Sequence, residues 1–528
     1  MIKSYLFLTF IFCSLLANGQ TERLKETRND KLPQPNIVII YTDDQNYEHI
    51  GAFGGNVYTP HMDNLAKEGI KFTQAFTTTA ICTPSRYGLM TGRFPSRSED
   101  ERFTSKFPEG VQTEVEFNTH IGPNEENLAE IFKKAGYKTG VVGKWDFGTP
   151  DKNKNGEPFF NPLPQSKNWM NAWIENENQA DPRSPEISKL LKENHDRLKK
   201  HTKKLGFDYA DALYNLNPEM WRNHALNIHN MEWVTEAAIN FFDQYKDEPF
   251  FLYMAPTLNH IPHPQESLLK GDPRMTVAGY LEKAPNVMPA REGILPRVKK
   301  AGYPSETAYC TWLDDAIGAV VNKLKNLGVY ENTMIVLMSD HQTLAKTSLY
   351  EGGVKTPLII SYPKLLEKDK TNKQLVQNID ITPTVLDICG IEKFNKKNID
   401  GKSLLPLLTN KVQSIHNALY FEYGWTRAIR TKQWKYIALR YSKSSNKLRL
   451  KRRILYHAKN LEPMQHHVLL SHPNYWDADQ LYDLNIDAGE TTNLAGYGEH
   501  KETLIMMKTE MGKWLKTFGN HPFGEFTE

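Results

Sequence analysis

Cys82-Thr83-Pro84-Ser85-Arg86 sets a thiol four residues ahead of a guanidinium, and Leu89, Thr91, Gly92 and Arg93 follow. Pro84 near a first helical turn, with Gly88 and Gly92 beyond it, suits a short helix that begins at about the cysteine. Backbone N–H groups at such a start favour negative charge, and Arg86 adds a full cation. An activated thiolate is the ordinary expectation for a cysteine in that setting. A cysteine nucleophile, however, also needs a base and an oxyanion hole. The chain offers acidic groups at other strand ends instead, Asp43-Asp44 and Asp340 beside His341, and these point to a metal. Lys144 with Asp146, His260 with His263, and Lys346 add cations and imidazoles in similar positions.

The elements that must carry these groups are short β-branched runs, each followed by polar residues and then a helical pattern. The runs predict strands over Asn36–Tyr41, Thr139–Val142, Phe250–Ala255 and Thr333–Met338. Apolar runs without alternation belong to a sheet covered on both faces. Helical patterns ending in a glycine stop fit that arrangement, "NLAEIFKKAG" closing on Gly136 and "TAYCTWLDDAIGAVVNKLKNLG" on Gly328. The expected fold class is α/β, with a mostly parallel central sheet between helices. In such sheets ligands sit outside the carboxyl ends of the strands, where each of these polar clusters falls. From about residue 411 the pattern turns to antiparallel strands and a closing helix, which predicts a smaller C-terminal α+β domain over 411–528 after an α/β domain over 33–410.

The 528 residues carry a formal charge of +3, close enough to balance that no general case arises for nucleic acid or a membrane surface. Residues 1–19, with Lys3, an apolar run and a small-residue exit, read as a secretory signal peptide, so the chain is expected to be exported to the periplasm or beyond. The apolar run is short for a membrane span, and no later one approaches the required length. The weaker alternative is a lipid anchor through Cys13. Removal of the signal leaves Cys82, Cys310 and Cys389, an odd count, so at least one is unpaired or chemically altered. Cys310 and Cys389 sit in apolar helical surroundings and read as buried free thiols. Cys82 does not.

Cys82-Thr83-Pro84-Ser85-Arg86 through Thr91-Gly92-Arg93 resembles the C-x-P-S-R-x-x-x-x-T-G-R signature of the type I sulfatases, whose fold is alkaline phosphatase-like. The likeness continues in order through "YTDDQ", "GVVGKWDFG", "NHIPH", "MSDHQ", "KTSLYEGGVKTPLII", "NIDITPTVLDICGI" and "QLYDLNIDAGETTNLA". The resemblance implies that Cys82 is converted to formylglycine by a formylglycine-generating enzyme and that its hydrate is the nucleophile. It implies one Ca2+ per chain, held by Asp43, Asp44, Asp340, His341 and the modified Cys82. An imidazole among the ligands also suits manganese or another divalent ion. By the same likeness Arg86 steadies the hydrate, Lys144 and Lys346 contact sulfate oxygens, and His260 protonates the departing alcohol. The implied substrate is a sulfated oligosaccharide or polysaccharide, from an alga (ulvan or carrageenan) or a glycosaminoglycan.

Two positions depart from the family pattern. Asp146 stands where the family usually has a histidine that acts as a base, and an aspartate there calls for pairing with Arg86 or Lys144. Gln342 replaces a common glycine. Taken singly, Asp43-Asp44 read as a cap or turn, His260 as a satisfied histidine, and Lys144 and Lys346 as solvated charges; their joint occurrence in family order points the other way. His263 is read as packing or lining the rim, and Gly352-Gly353 as a close-packing turn. The basic run at 447–459 divides evenly between a solvated face and a dock for a polyanionic substrate. Rival activities are a phosphodiesterase or phosphonate monoester hydrolase of the same superfamily, and a non-catalytic carbohydrate-binding relative.

Overall fold

The computed structural model describes residues 34–148, 181–215, 217–221, 223–262, 264–442 and 465–527. The proposed signal segment, His263 and the basic run at 447–459 lie outside the described residues.

An eight-stranded sheet forms the centre. Its strands are β1 (Asn36–Thr42), β2 (Ile70–Phe72), β3 (Lys138–Lys144), β4 (Tyr209–Tyr214), β5 (Phe250–Ala255), β6 (Thr333–Ser339), β7 (Leu358–Ser361) and β8 (Lys370–Asn372), in the spatial order β8-β2-β7-β6-β1-β5-β3-β4. All neighbours pair in parallel except β7, which runs antiparallel to both β6 and β2. The four strands expected from sequence are present: β5 has the expected limits, β1 and β6 are each one residue longer, and β3 is three residues longer. β1 is central and buried along its whole length, as its unbroken apolar run requires.

Alternate residues of β1 serve two helical layers. Ile37, Ile39 and Tyr41 pack with α2 (Cys82–Thr91), α3 (Leu128–Lys134) and α7 (Ile381–Ile388). Val38 and Ile40 pack with α1 (Pro60–Lys67), α5 (Met231–Tyr245) and α6 (Ala308–Asn326). Each aliphatic side chain buried this way contributes roughly 1.5–3 kcal/mol relative to exposure. The glycine stops are in place, with Gly136 at φ +89° and Gly328 at φ +71°. α4 (Pro185–Lys203) covers the β4 edge of the sheet.

A second sheet follows, of four antiparallel strands in sequence order: β9 (Leu419–Tyr423), β10 (Thr426–Arg430), β11 (Trp434–Leu439) and β12 (Asp479–Asp483). One face packs against α8 (Lys501–Leu515) through Tyr420, Ile429, Tyr436, Met507 and Met511. The other face holds Phe421 and Tyr423 against Phe76, Ala345, Leu349 and Tyr350. The small sheet therefore braces the loop after β6 that carries Lys346.

The described cysteines are all free. Cys310 is buried as expected. Cys389 is only half-buried, because it caps the C-terminal end of α7 instead of lying within its packed face. Gly352-Gly353 lie in a single helical turn, Glu351–Val354, and a Cβ on Gly353 would meet the Ala345 and Ser348 carbonyls at 2.5 and 2.6 Å, so the expected close packing holds.

Candidate active site

Asp43 and Asp44 follow directly on β1, and Asp340 and His341 on β6, its neighbour. The pairing continues past the strands: the Asp340 N–H donates to the Thr42 carbonyl at 3.0 Å and the Asp44 N–H to Asp340 Oδ1 at 3.1 Å. Asp44 turns its side chain inward from a left-handed backbone at φ +55°. On the other side of β1, the Asp43 N–H donates to the Leu258 carbonyl at 3.1 Å, which ties β1 to the loop after β5 that carries His260. Tip residues from several strands thus become immediate neighbours.

β3 delivers Lys144 by a local device. The β3–β4 register shifts between Val142 and Gly143, and Gly143 lies at φ +91° with its α-carbon against the Ala255 carbonyl, where a Cβ would collide. Only glycine fits that position. The bulge aims Lys144 inward, and its Nζ reaches Asp43 Oδ2 at 2.7 Å.

Cys82 begins α2 and is 1% exposed. Its Sγ lies 3.5 Å from Asp43 Oδ1 and 3.3 Å from His341 Nε2. The expected activated thiolate is not what this setting produces. Burial raises the thiol well above its ordinary value, Asp43 adds to the rise, and Lys144 only partly opposes it. As a plain cysteine this residue is a neutral thiol. Arg86, one turn on and fully buried, donates to Asp340 Oδ2 at 2.8 Å and to the Tyr253 hydroxyl at 3.1 Å, and lies 3.7 Å from Asp43.

Lys346 Nζ stands 2.9 Å from Asp44 and 3.1 Å from His260 Nε2. His260 Nε2 lies 3.4 Å from Asp44 Oδ2. His341 Nε2 lies 3.2 Å from Asp44 Oδ1 and 3.7 Å from Asp340 Oδ1. Every residue expected at the site is therefore in one hollow. Asp146 is at its side: Thr83 Oγ1 donates to it at 2.7 Å, Lys144 is 3.8 Å away, and 25% of its side chain is exposed. The pairing expected of Asp146 is with Lys144; Arg86 is engaged with Asp340 instead. Gln342 uses its amide to brace the loops, accepting from the Tyr47 N–H at 3.2 Å and donating to the Lys355 carbonyl.

The electrostatics are those of interlocked opposite charges. Burial alone would raise Asp43 and Asp44, but the surrounding cations win, holding Asp43 well below the carboxylate range and Asp44 at about 2. Burial pushes Lys144 down, and Asp43, Cys82 and Asp146 together more than reverse it. Burial keeps His341 low and so favours the neutral imidazole that can act as a ligand. Burial and Lys346 disfavour charge on His260, whereas Asp44, Asp43 and Glu219 favour it and prevail.

Candidate ligand atoms of Asp43, Cys82, Asp340 and His341 all lie within 4.8 Å of one another, as do those of Asp43, Asp44, Cys82 and His260. Buried oxygen donors with one imidazole fit a divalent cation, with the hard carboxylates suiting calcium. Several neighbours of the hollow carry no signal in the sequence. Tyr253 lies inside an apolar strand and gives no signal. Asn217 and Glu219, 2.9 and 3.4 Å from the two ring nitrogens of His260, come from a segment with no periodic pattern.

The family model described as Sulfatase matches residues 35–391. The chain belongs to the sulfatase family. It is accordingly a sulfuric ester hydrolase. A second model, of the N-sulphoglucosamine sulphohydrolase C-terminal region, matches 339–453. An ulvan-active sulfatase of Formosa agariphila is 29% identical over 444 residues, spanning 78% of this sulfatase and 74% of the relative. An N-acetylgalactosamine-6-O-sulfatase of Bacteroides thetaiotaomicron is 25% identical over 491 residues, spanning 80% and 86%. Among solved structures, a Bacteroides fragilis protein described as a sulfatase superposes with a TM-score of 0.60 at 21% identity, over 95% of this chain and 99% of that one. The phosphonate monoester hydrolase of Agrobacterium radiobacter superposes at 0.57 and 17% identity, over 92% and 96%. These likenesses establish the alkaline phosphatase-like fold expected from sequence. No helix among the described residues is long and apolar enough to cross a membrane.

Proposed function

We propose that this sulfatase removes sulfate from a sulfated carbohydrate, with Cys82 matured to formylglycine and Ca2+ held by Asp43, Asp44, Asp340 and His341. The observation that carries the reading is the convergence, in one buried hollow, of three carboxylates, an imidazole and Cys82 with Lys144, Lys346, Arg86 and His260 around them. The neutral thiol at Cys82 supports a modified residue there, since an unaltered one is a poor nucleophile. When bound, the cation supplies Lewis-acid polarisation of the sulfate, and the hydrated aldehyde supplies the attacking oxygen.

The chain's own residues do the rest. Lys144 and Lys346 present cations to the sulfate oxygens, where they stabilise the charge that develops on them. His260 offers Nε2 to the bridging oxygen, because a sugar alkoxide leaves poorly without a proton. Asp146, fixed by Thr83 beside position 82, accepts a proton there. Arg86 holds Asp340 and Asp43 in place. The ulvan and N-acetylgalactosamine substrates named for the relatives support a sulfated carbohydrate. The same reading assigns residues 1–19 to an export signal, 33–410 to the catalytic domain and 411–528 to the C-terminal subdomain.

The test has two parts. Mass spectrometry of the peptide spanning Cys82, from protein matured in a host with a formylglycine-generating enzyme, is expected to show a loss of about 18 Da relative to cysteine. Release of inorganic sulfate is then measured on defined sulfated oligosaccharides of ulvan, carrageenan and glycosaminoglycan type, beside an aryl sulfate and a phosphodiester. An unaltered thiol, or preferred turnover of the phosphodiester, rejects the reading.

A further inference from the structure

His260 presents its two ring nitrogens to different surroundings. Nε2 faces the charged hollow, 2.9 Å from Asn217 Nδ2, 3.1 Å from Lys346 Nζ and 3.4 Å from Asp44 Oδ2. Nδ1 faces away from it, 2.9 Å from the Ile261 carbonyl and 3.4 Å from Glu219 Oε2. The Glu219 oxygen is itself buried and has no other hydrogen-bond partner among the described residues. A buried carboxylate oxygen without a donor is costly, so the Nδ1–H of His260 is the group this oxygen answers to. The ring is 3% exposed and cannot turn freely between the two arrangements.

We propose that Glu219 is the positioning residue for His260: with the Ile261 carbonyl, it keeps a proton on Nδ1, so that the proton given to the substrate is the one on Nε2. The inference rests on the reading of His260 as proton donor. As the sulfur–oxygen bond breaks, its electron pair passes to the sugar oxygen. That oxygen takes the Nε2 proton, and the ring is left neutral with its hydrogen on Nδ1. Without the Glu219 carboxylate the Nδ1 edge is held less firmly to its proton, and the ring can settle in the neutral Nε2–H tautomer, which cannot give up that proton without becoming an anion. Glu219 lies in the short turn after β4, between residues that carry no motif, which is why only its position relative to His260 reveals it.

The experiment compares matured full-length protein with its E219Q variant, an isosteric change at a partly exposed position. A sulfated monosaccharide needs a proton on its leaving oxygen, whereas 4-nitrocatechol sulfate loses a stabilised phenolate. We expect E219Q to lower kcat/KM on the sugar by about tenfold to hundredfold. On the aryl sulfate the same variant stays within about twofold of the unsubstituted enzyme. An equal fall on both esters, or no change on either, overturns the proposal. A second readout does not depend on turnover. In protein labelled with 15N-histidine and assigned with H260Q, His260 is expected to carry its proton on Nδ1, and E219Q is expected to shift that signal. An unchanged signal counts against Glu219 whatever the activity. If the unsubstituted protein hydrolyses neither ester, the sulfatase reading of the site fails, while the nitrogen spectrum still decides the role of Glu219.

Discussion

Lys346 Nζ stands 2.9 Å from both carboxylate oxygens of Asp44, a residue 302 positions earlier in the chain. The same ammonium lies 3.1 Å from His260 Nε2, so one cation joins a proposed metal ligand to the proposed proton donor. Its loop is clamped by the second sheet, through Ala345, Leu349 and Tyr350 against Phe421 and Tyr423. K346A removes the charge while leaving that clamp in place. Turnover of a sulfated sugar is expected to fall by about a hundredfold or more, as for loss of a group that stabilises transition-state charge. Activity within a few-fold of the unsubstituted enzyme would remove Lys346 from the sulfate-binding set.

Arg86 has the larger structural role. It is fully buried and is the direct partner of Asp340 at 2.8 Å. Replacing it by methionine leaves Asp340, and Asp43 at 3.7 Å, with less compensation in a place that water does not reach. Breaking a buried pair from one side costs about 3–5 kcal/mol. We expect R86M to lower the free energy of urea unfolding by that order. R86K should recover only part of it, because an ammonium lacks the planar fork by which Arg86 reaches the Tyr253 hydroxyl through one nitrogen and Asp340 through the other. A midpoint that does not move in R86M would show the pair to be dispensable.

Much of this site was legible because its residues sit where strands end. Asp43-Asp44, Lys144, His260 and Asp340-His341 each follow an apolar run, and a parallel sheet brings such tips to one edge regardless of their distance in sequence. The strand limits followed from the same runs. The hidden parts were those that depend on side chains meeting through space without a periodic signal. Tyr253 looks like any other core residue of β5, yet its hydroxyl binds Arg86. Glu219 and Asn217 belong to a segment whose path is set by packing around His260. The state of Cys82 departs from its sequence pattern for a related reason. A helix start beside an arginine argues for a thiolate, but Arg86 is engaged by Asp340, and Asp43, 3.5 Å from the sulfur, raises the thiol more than Lys144 lowers it.

Asp146 gives a sharper test of the departure from the family pattern. Thr83 orients it and Lys144 is 3.8 Å away, so the carboxylate is held against the residue that follows Cys82. D146N preserves shape and the hydrogen bond from Thr83 but removes basicity. A role as base requires kcat to fall by about a hundredfold with KM little changed. D146H, which restores the imidazole common in the family, is expected to retain more activity than D146N. Unchanged kcat in D146N would assign the aspartate to packing alone.

The second sheet carries its own buried charge network, away from the catalytic hollow, and this gives a pH prediction. Lys435 Nζ lies 3.2 Å from Glu351 and 3.1 Å from Glu490, and all three side chains are largely buried. Burial and the neighbouring Glu351 raise Glu490 to about 7 against the opposing effect of Lys435, whereas Lys435 and Arg430 overcome burial at Glu351 and hold it at about 2. For an acid whose folded value is raised, the folded state binds more protons than the unfolded chain between the two values, so stability falls as pH rises through that window. For Glu490 the window runs from its ordinary 4.5 to about 7. The depressed Glu351 acts below that window, since its contribution is present above its ordinary value and lost as pH falls toward about 2. E490Q cannot ionise and so escapes the loss. Urea unfolding at about pH 5 and about pH 8 is therefore expected to show E490Q gaining on the unsubstituted protein by about 1–3 kcal/mol at the higher pH. Equal differences at the two pH values, or a gain by the unsubstituted protein, would mean that Glu490 is already ionised when folded and that Lys435 holds both carboxylates as anions.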